Sequence, residues 1–416
     1  MKTNPYLQHY LIEAQSLLVR LKNVKPFALI MPMVNAARVS LEAETEMQST
    51  IDNGVRALNK SIRNFCLIIT QNNLEAHQMQ KMLSDLKIRF NDIMDQVDIF
   101  ADVVSQRGDF KTGALIAGMD RLAFIGLKAK EHYTKTPIIC FLERGMGAAI
   151  RRAKTPLPGG ASNPVAIIQI PREKIPGFGI ASSVLHEVGH QAAISYDFND
   201  KTVELFHRLA TETKDNTWAL FATWANEILS DFWSVLKTGI GSTLGLMGVF
   251  CLPSHYIFRL TPKDPHPMPY LRVKISCAVG NRIYPHKQWN ELMLTWEKTY
   301  PLSLTSNENR ALIKQIETKI PDMIEHLVSI KHTRLGNKTL MDLKNNENAP
   351  ENLRAMFRDF KSDKINLFNI SPVTFFAVIG QAKYDKTISP LQEGEIINNA
   401  LKKWSLVNYN DLKYTH

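Results

Sequence analysis

Ser183-Val184-Leu185-His186-Glu187-Val188-Gly189-His190-Gln191-Ala192-Ala193 sets an HExxH pattern inside an apolar run that suits a helix. On a helix, His186 and His190 lie four residues apart on one face, so two imidazoles can reach one metal ion with Glu187 beside them. Two nitrogens leave Zn²⁺ short of a third protein ligand. A catalytic site keeps the fourth position for water, whose pKa the metal lowers to about 7. Glu187 is placed to take that water's proton. A helix with two partly buried histidines that bind nothing is the bland alternative, and the surrounding sequence has to decide between them.

Ala193 and Tyr196 stand where a metzincin would carry Gly and its third ligand, which argues against that class. A second apolar run, 216–233, offers Glu227 as the third ligand. Asp231 follows one helical turn later on the same face, where a carboxylate can accept the free N–H of a ligating His and fix its tautomer. Asp197 is the rival third ligand, without the Gly-Thr element that accompanies an aspartate ligand elsewhere.

The set His186-Glu187-xx-His190 with Glu227-xxx-Asp231 resembles the gluzincin metallopeptidases, the group that includes thermolysin. In Asp264-Pro265-His266-Pro267-Met268-Pro269-Tyr270-Leu271-Arg272, a His-Pro pair precedes Arg by the interval found in the HtpX-like heat-shock peptidases and CAAX prenyl proteases. The resemblance covers the middle third of the chain and implies a zincin-like domain that binds Zn²⁺ and hydrolyses peptide or protein substrates. It makes His266 the first candidate for the donor that stabilises the oxyanion, with Arg272, Tyr270 and His255 as alternatives. A histidine held in a proline-rich turn for structure alone is the competing reading of His266. The best-known members of the group are embedded in membranes, and this chain departs from them. Its two longest apolar runs, 27–34 and 243–252, fall short of the roughly 20 residues that cross a bilayer.

At 416 residues, 44% hydrophobic and 22% charged, the chain can build two or three domains with real cores. Cys66, Cys140, Cys251 and Cys277 are scattered without disulfide or thiolate-metal spacing, and 1–6 lead into polar sequence rather than a signal core. Both features fit a cytoplasmic protein. The net charge of +10 is spread along the chain, so nucleic acid is not expected as a partner. Arg151-Arg152-Ala153-Lys154 reads as a solvated turn. The set Arg259, Lys263, Arg272, Lys274 and Arg282 leaves selection of acidic substrates open.

The first region, 1–132, reads as long helices. Ile51, Val55, Leu58, Ile62, Phe65 and Ile69, then Met82, Leu86, Phe90, Ile93, Val97, Phe100 and Val104, form heptad-like seams. A turn at Asn72-Asn73 would make them an antiparallel hairpin; one bent helix is the alternative. The zincin-like region, 133–300, opens with strands near 137–144 and 164–170, and its second strand is the expected sheet edge that an extended substrate would join. Gly145-Met146-Gly147 reads as a turn. After Pro176-Gly177, Ser182 or Ser183 is available to cap the HExxH helix, and Gly239 should end the Glu227 helix. The C-terminal region, 301–416, is helical again, with Pro321 expected to kink or split one helix. The expected fold is α+β and mainly helical, with a small sheet in the central region. The expected activity is zinc-dependent peptide hydrolysis. The alternative is a catalytically silent zinc scaffold whose helical regions bind a protein partner.

Overall fold

The computed structural model describes residues 5–406 apart from 72–74, 133–135, 146, 176 and 262. The turn expected at Asn72-Asn73, together with Met146, Pro176 and residues 1–4, lies outside the described residues. Helices α1 (Pro5–Leu21), α2 (Phe27–Ile30), α3 (Leu41–Gln71), α4 (Ala76–Ser105) and α5 (Phe110–Leu127) come first. Strands β1 (Ile138–Glu143), β2 (Ala149–Arg151) and β3 (Ala166–Pro171) follow. The HExxH helix is α6 (Gly179–Ser195), and α7 (Asn199–Thr213) leads to the Glu227 helix, α8 (Asn216–Thr238). Next come α9 (Ile240–Val249), α10 (Ser254–Ile257), α11 (Pro269–Ile283), α12 (Gln288–Thr299) and α13 (Asn307–Ser329). The chain closes with α14 (Pro350–Lys361), α15 (Pro372–Tyr384) and α16 (Pro390–Ser405). The protein is therefore mainly helical with one small sheet, and no described helix is long and apolar enough to cross a membrane.

The two heptad-like seams are separate helices that pair antiparallel. Met47 and Ile51 meet Phe100 and Val103 at one end, while Ile69 meets Met79 at the other. Both seams bury their apolar stripe against each other and α1, as plain intramolecular core.

The sheet lies between this hairpin and α6, because successive strand residues point to opposite faces. Val165 and Ile167 join Ile139 against α3 and α4, whereas Ala166, Ile168 and Ile170 join Cys140 and Leu142 against the core that contains α6. Strand order is β1-β3-β2, with β1 parallel and β2 antiparallel to β3. The expected edge is thus corrected. The strand 166–171 is central, flanked on both sides, and the edges are β1 and the short β2, whose Arg151 the spacing places in a solvated turn. Two β-branched runs with a third strand folded in between place the last one innermost, a pairing that composition alone does not reveal.

The largest core runs from Ile116 to Trp404. Helix α15 is buried along most of its length, packs on α8 and α9, and completes the core around α6. Helix α13 continues as one element through Pro321, which does not split it.

Arg107 and Asp120 pin the hairpin, α5 and the sheet together. Both are buried; Arg107 Nη1 donates to Asp120 Oδ2 at 2.7 Å and to Ala37 O at 3.0 Å, and Nη2 donates to Cys140 O at 2.8 Å. Cys140 N in turn donates to Asp120 Oδ1 at 2.7 Å. Removing one member leaves a buried charge uncompensated, so Asp120→Ala should lower the unfolding free energy in urea by about 3–5 kcal/mol.

His332 supplies a pH dependence. Its ring is buried edge-on against Phe198, 4.7 Å between centroids, and neither ring nitrogen has a hydrogen-bond partner. Burial pushes its pKa down from 6.5 to about 4. Between those values the unfolded chain takes up a proton that the folded protein refuses, so stability is complete above pH 6.5 and falls as the pH drops toward 4. The loss should reach about 3 kcal/mol and be absent in His332→Leu, as read from the difference between urea titrations of the two proteins at pH 7 and pH 4.5.

Candidate metal centre

Helix α6 starts at Gly179, a turn earlier than the serine caps expected from sequence. The N–H of its N-cap residue is served from outside: Phe178 N donates to Glu393 Oε1 of α16 at 2.8 Å. Ser182, freed from capping, is buried and donates to Ser242 O of α9 at 2.8 Å. Ser183 lines the cleft. The helix ends at Ser195, and Asp197 just beyond adopts a left-handed conformation (φ 61°) outside the cluster. Asp197 is therefore not brought to the histidines.

Helix α8 crosses α6 at Gly189, between the two histidines. A Cβ there would lie 2.6 Å from Ser230 Cα, so only glycine allows this approach. The close crossing brings Glu227 over the histidine face. His186, His190 and Glu227 each offer a ligand atom, and the three atoms lie within 4.8 Å of one another. His186 Nε2 is 3.3 Å from Glu227 Oε2, and His190 Nε2 is 3.3 Å from Glu227 Oε1.

The remaining ring nitrogens are held from behind. Asp231 Oδ1 lies 2.8 Å from His186 Nδ1, the contact expected from the Glu227-xxx-Asp231 spacing. Ser230 Oγ lies 2.9 Å from His190 Nδ1 and donates its single proton to Asn226 O at 2.8 Å, so it accepts from His190. Both histidines thus hold a proton on Nδ1 and direct Nε2, the atom a metal would take, toward Glu227. Ser230 was missed in the sequence, although its position one turn after Glu227 on the Asp231 face was the available signal. Arg272 of α11 is, in the sequence, the Arg of the His-Pro element, an alternative oxyanion donor and one of the basic set between 259 and 282. It clamps Asp231 instead, Nε to Oδ2 at 2.6 Å and Nη2 to Oδ1 at 3.0 Å, and its Nη2 reaches to within 3.1 Å of Glu227 Oε2.

Charge is concentrated here. Burial works against the charged form of each group, yet the Asp231 carboxylate raises His186 from 6.5 to about 10. Burial likewise opposes ionisation of Glu227, and the bonds from His186 and His190 override it and hold the carboxylate far below its usual range.

The donor set fits a metal cation. Glu227 Oε2 is fully buried and, although Arg272 Nη2 lies 3.1 Å away, completes no aligned hydrogen bond; a cation at the convergence point would supply it with a ligand bond. Two imidazoles and one carboxylate are the ligand types that Zn²⁺ takes in open, three-ligand sites.

Glu187 is 7% exposed, lines the cleft, and has no ion pair or hydrogen bond among the described residues. The cleft is about 400 Å³, bounded by residues 147–150 and Arg152 on the β2 side and by Leu246, Val249 and Phe250 at the end of α9. The end of helix α9 forms its apolar wall. His266 stands at the mouth with its side chain 57% exposed and Nε2 3.6 Å from Glu227 Oε1. Asp264 Oδ1 accepts from both the backbone N–H (3.0 Å) and Nδ1 (2.8 Å) of His266, which turns Nε2 toward the cluster. Tyr270 is buried against Phe258, and His255 packs on Tyr256; neither lines the cleft. Lys274 and Arg282 are paired with glutamates of neighbouring helices, as Arg272 is with Asp231, so three of the five basic residues between 259 and 282 are internally neutralised.

No protein-family model, no curated protein and no solved structure matches this chain.

Proposed function

We propose that the chain is a zinc-dependent peptidase of gluzincin type. The observation that carries this reading is Glu187, an uncommitted carboxylate that faces the cleft beside a three-ligand cluster; a purely structural site has no use for it and closes its fourth position with protein. His186, His190 and Glu227 would hold the ion, with Asp231, Ser230 and Arg272 fixing their orientation. Zn²⁺, when bound, supplies Lewis acidity toward the scissile carbonyl and lowers the pKa of a water. Glu187 takes the proton of the attacking water and passes it to the leaving amine. His266, held through Nδ1 by Asp264, directs Nε2 at the cluster, where it would serve as the donor to the oxyanion. The free edge of β2 would pair with an extended substrate by strand addition, leaving its side chains to the apolar wall and to Arg152.

The test is hydrolysis of a mixed peptide library by the zinc-loaded chain, followed by removal of zinc with a chelator and its return. Cleavage that stops with the chelator and resumes with zinc supports the proposal. A zinc-loaded protein that cleaves nothing would point instead to a silent zinc scaffold whose helices bind a partner.

A further inference from the structure

Directly after strand β2 stands a cation to which the fold gives no use. Arg152 lines the cleft, and among the described residues its guanidinium has no ion pair and no hydrogen bond; its only hydrogen bonds run through its backbone oxygen. That backbone is held in place. Arg152 O accepts from Thr155 Oγ1 at 2.6 Å and from Asn163 Nδ2 at 3.1 Å, and the next N–H, of Ala153, donates to Gln191 Oε1 at 3.0 Å. Gln191 directly follows His190, so the end of the edge strand is registered to the helix that carries both histidines.

The other charges of the cleft leave Arg152 a distinct role. Arg272 is saturated by Asp231 and Glu227, and the facing wall of Leu246, Val249 and Phe250 is apolar. Arg152 is the one cleft-lining Lys or Arg among the described residues that is not already paired. Arg152 is not among the residues of the His186, His190 and Glu227 cluster, so it would bind a substrate group to one side of the reacting carbonyl.

We propose that Arg152 is a specificity-determining residue that selects substrates by a carboxylate, supplied by an acidic side chain or by the peptide's own C-terminus, lying along β2 to one side of the scissile bond. The inference rests on the peptidase reading above. A guanidinium is suited to it, because its planar fork meets both carboxylate oxygens at once.

The experiment uses decapeptide libraries with Glu, Gln or Lys fixed at each position in turn, made both as free acids and as C-terminal amides. Two readouts are taken: kcat/KM with the zinc-loaded wild type, and binding of the labelled peptides to zinc-loaded Glu187→Gln by fluorescence anisotropy. Wild type should favour a carboxylate at one position on the order of tenfold over its neutral isostere, the worth of one charge-assisted contact. Dependence on a fixed Glu identifies a side chain as the source, and dependence on the free acid identifies the C-terminus. In Arg152→Ala the ratio should fall to about one, and in Arg152→Glu it should invert toward Lys. Arg151→Glu, an equal charge change on the opposite face of β2, should leave the ratio in place. Equal handling of carboxylate and isostere by an active wild type, or an equal shift in the Arg151 and Arg152 variants, overturns the inference and leaves the peptidase reading standing. Carboxylate-dependent binding that Arg152 controls in a protein that hydrolyses nothing sustains the inference and overturns the peptidase reading. Absence of both binding and hydrolysis overturns both.

Discussion

Glu187→Gln should abolish most peptide hydrolysis while leaving zinc content and fold unchanged. The amide keeps the shape of the carboxylate but cannot accept the proton of the attacking water, and general-base catalysis of this kind is worth about 10²–10⁴ in rate. Stability should not suffer, because the side chain is buried without an ion pair or hydrogen bond and its replacement orphans no partner. Glu187 interacts electrostatically with Arg272, but that guanidinium keeps Asp231 as its partner in the variant, so the unfolding midpoint should change little. The informative pattern is therefore an inactive protein with full zinc and near wild-type thermal stability. Measured at matched zinc content, a variant as active as wild type would remove Glu187 from the chemistry.

Zinc should be held at about one ion per chain and lost when any of the three converging side chains is removed. Glu227→Ala is the most telling case. Arg272 keeps Asp231 as its partner, so the variant loses a ligand without leaving that guanidinium unpaired. In wild type, zinc at a thousand times its dissociation constant should raise the unfolding free energy by about 4 kcal/mol, and in Glu227→Ala that increment should vanish. Ser230→Ala, which frees His190 Nδ1 without touching a ligand, should keep the site but weaken affinity by about 10–100-fold. The measurements are metal analysis after dialysis and thermal unfolding with and without zinc. Full zinc occupancy in Glu227→Ala together with its loss in Asp197→Ala would show that the wrong carboxylate has been chosen.

Local spacing made the centre of the site legible. His186 and His190 are four apart, and Glu227 and Asp231 are four apart, and on any helix each pair shares a face. Once two such helices cross, the cluster follows, together with the contact between Asp231 and His186. The long seams of α3 and α4 were readable for the same reason: a repeating apolar stripe has to be buried, and the two buried each other. Spacing is silent, however, about side chains that arrive from elsewhere in the chain. Ser230 was within reach of the helical argument, and Asp264 is only two residues from the His266 it holds, but the role of Arg272 as clamp depends on how α11 meets α8.

The ligand types and their periodicity are properties of neighbouring residues, so sequence determined them alone. Which strand forms the edge was decided only by tertiary pairing, because β2 is three residues long and exists as a strand only through its hydrogen bonds to β3. The start of α6 was likewise set by Glu393, more than two hundred residues away, rather than by a nearby serine. Arg152 illustrates the difference most directly. In the sequence it belongs to a basic turn that reads as solvated, and its side chain becomes a wall of the cleft only because the Gln191 side chain anchors the end of β2 to the helix that bears both histidines. A hydrogen bond between residues 38 apart carries no local signature, since neither partner's propensity depends on the other until the chain has folded.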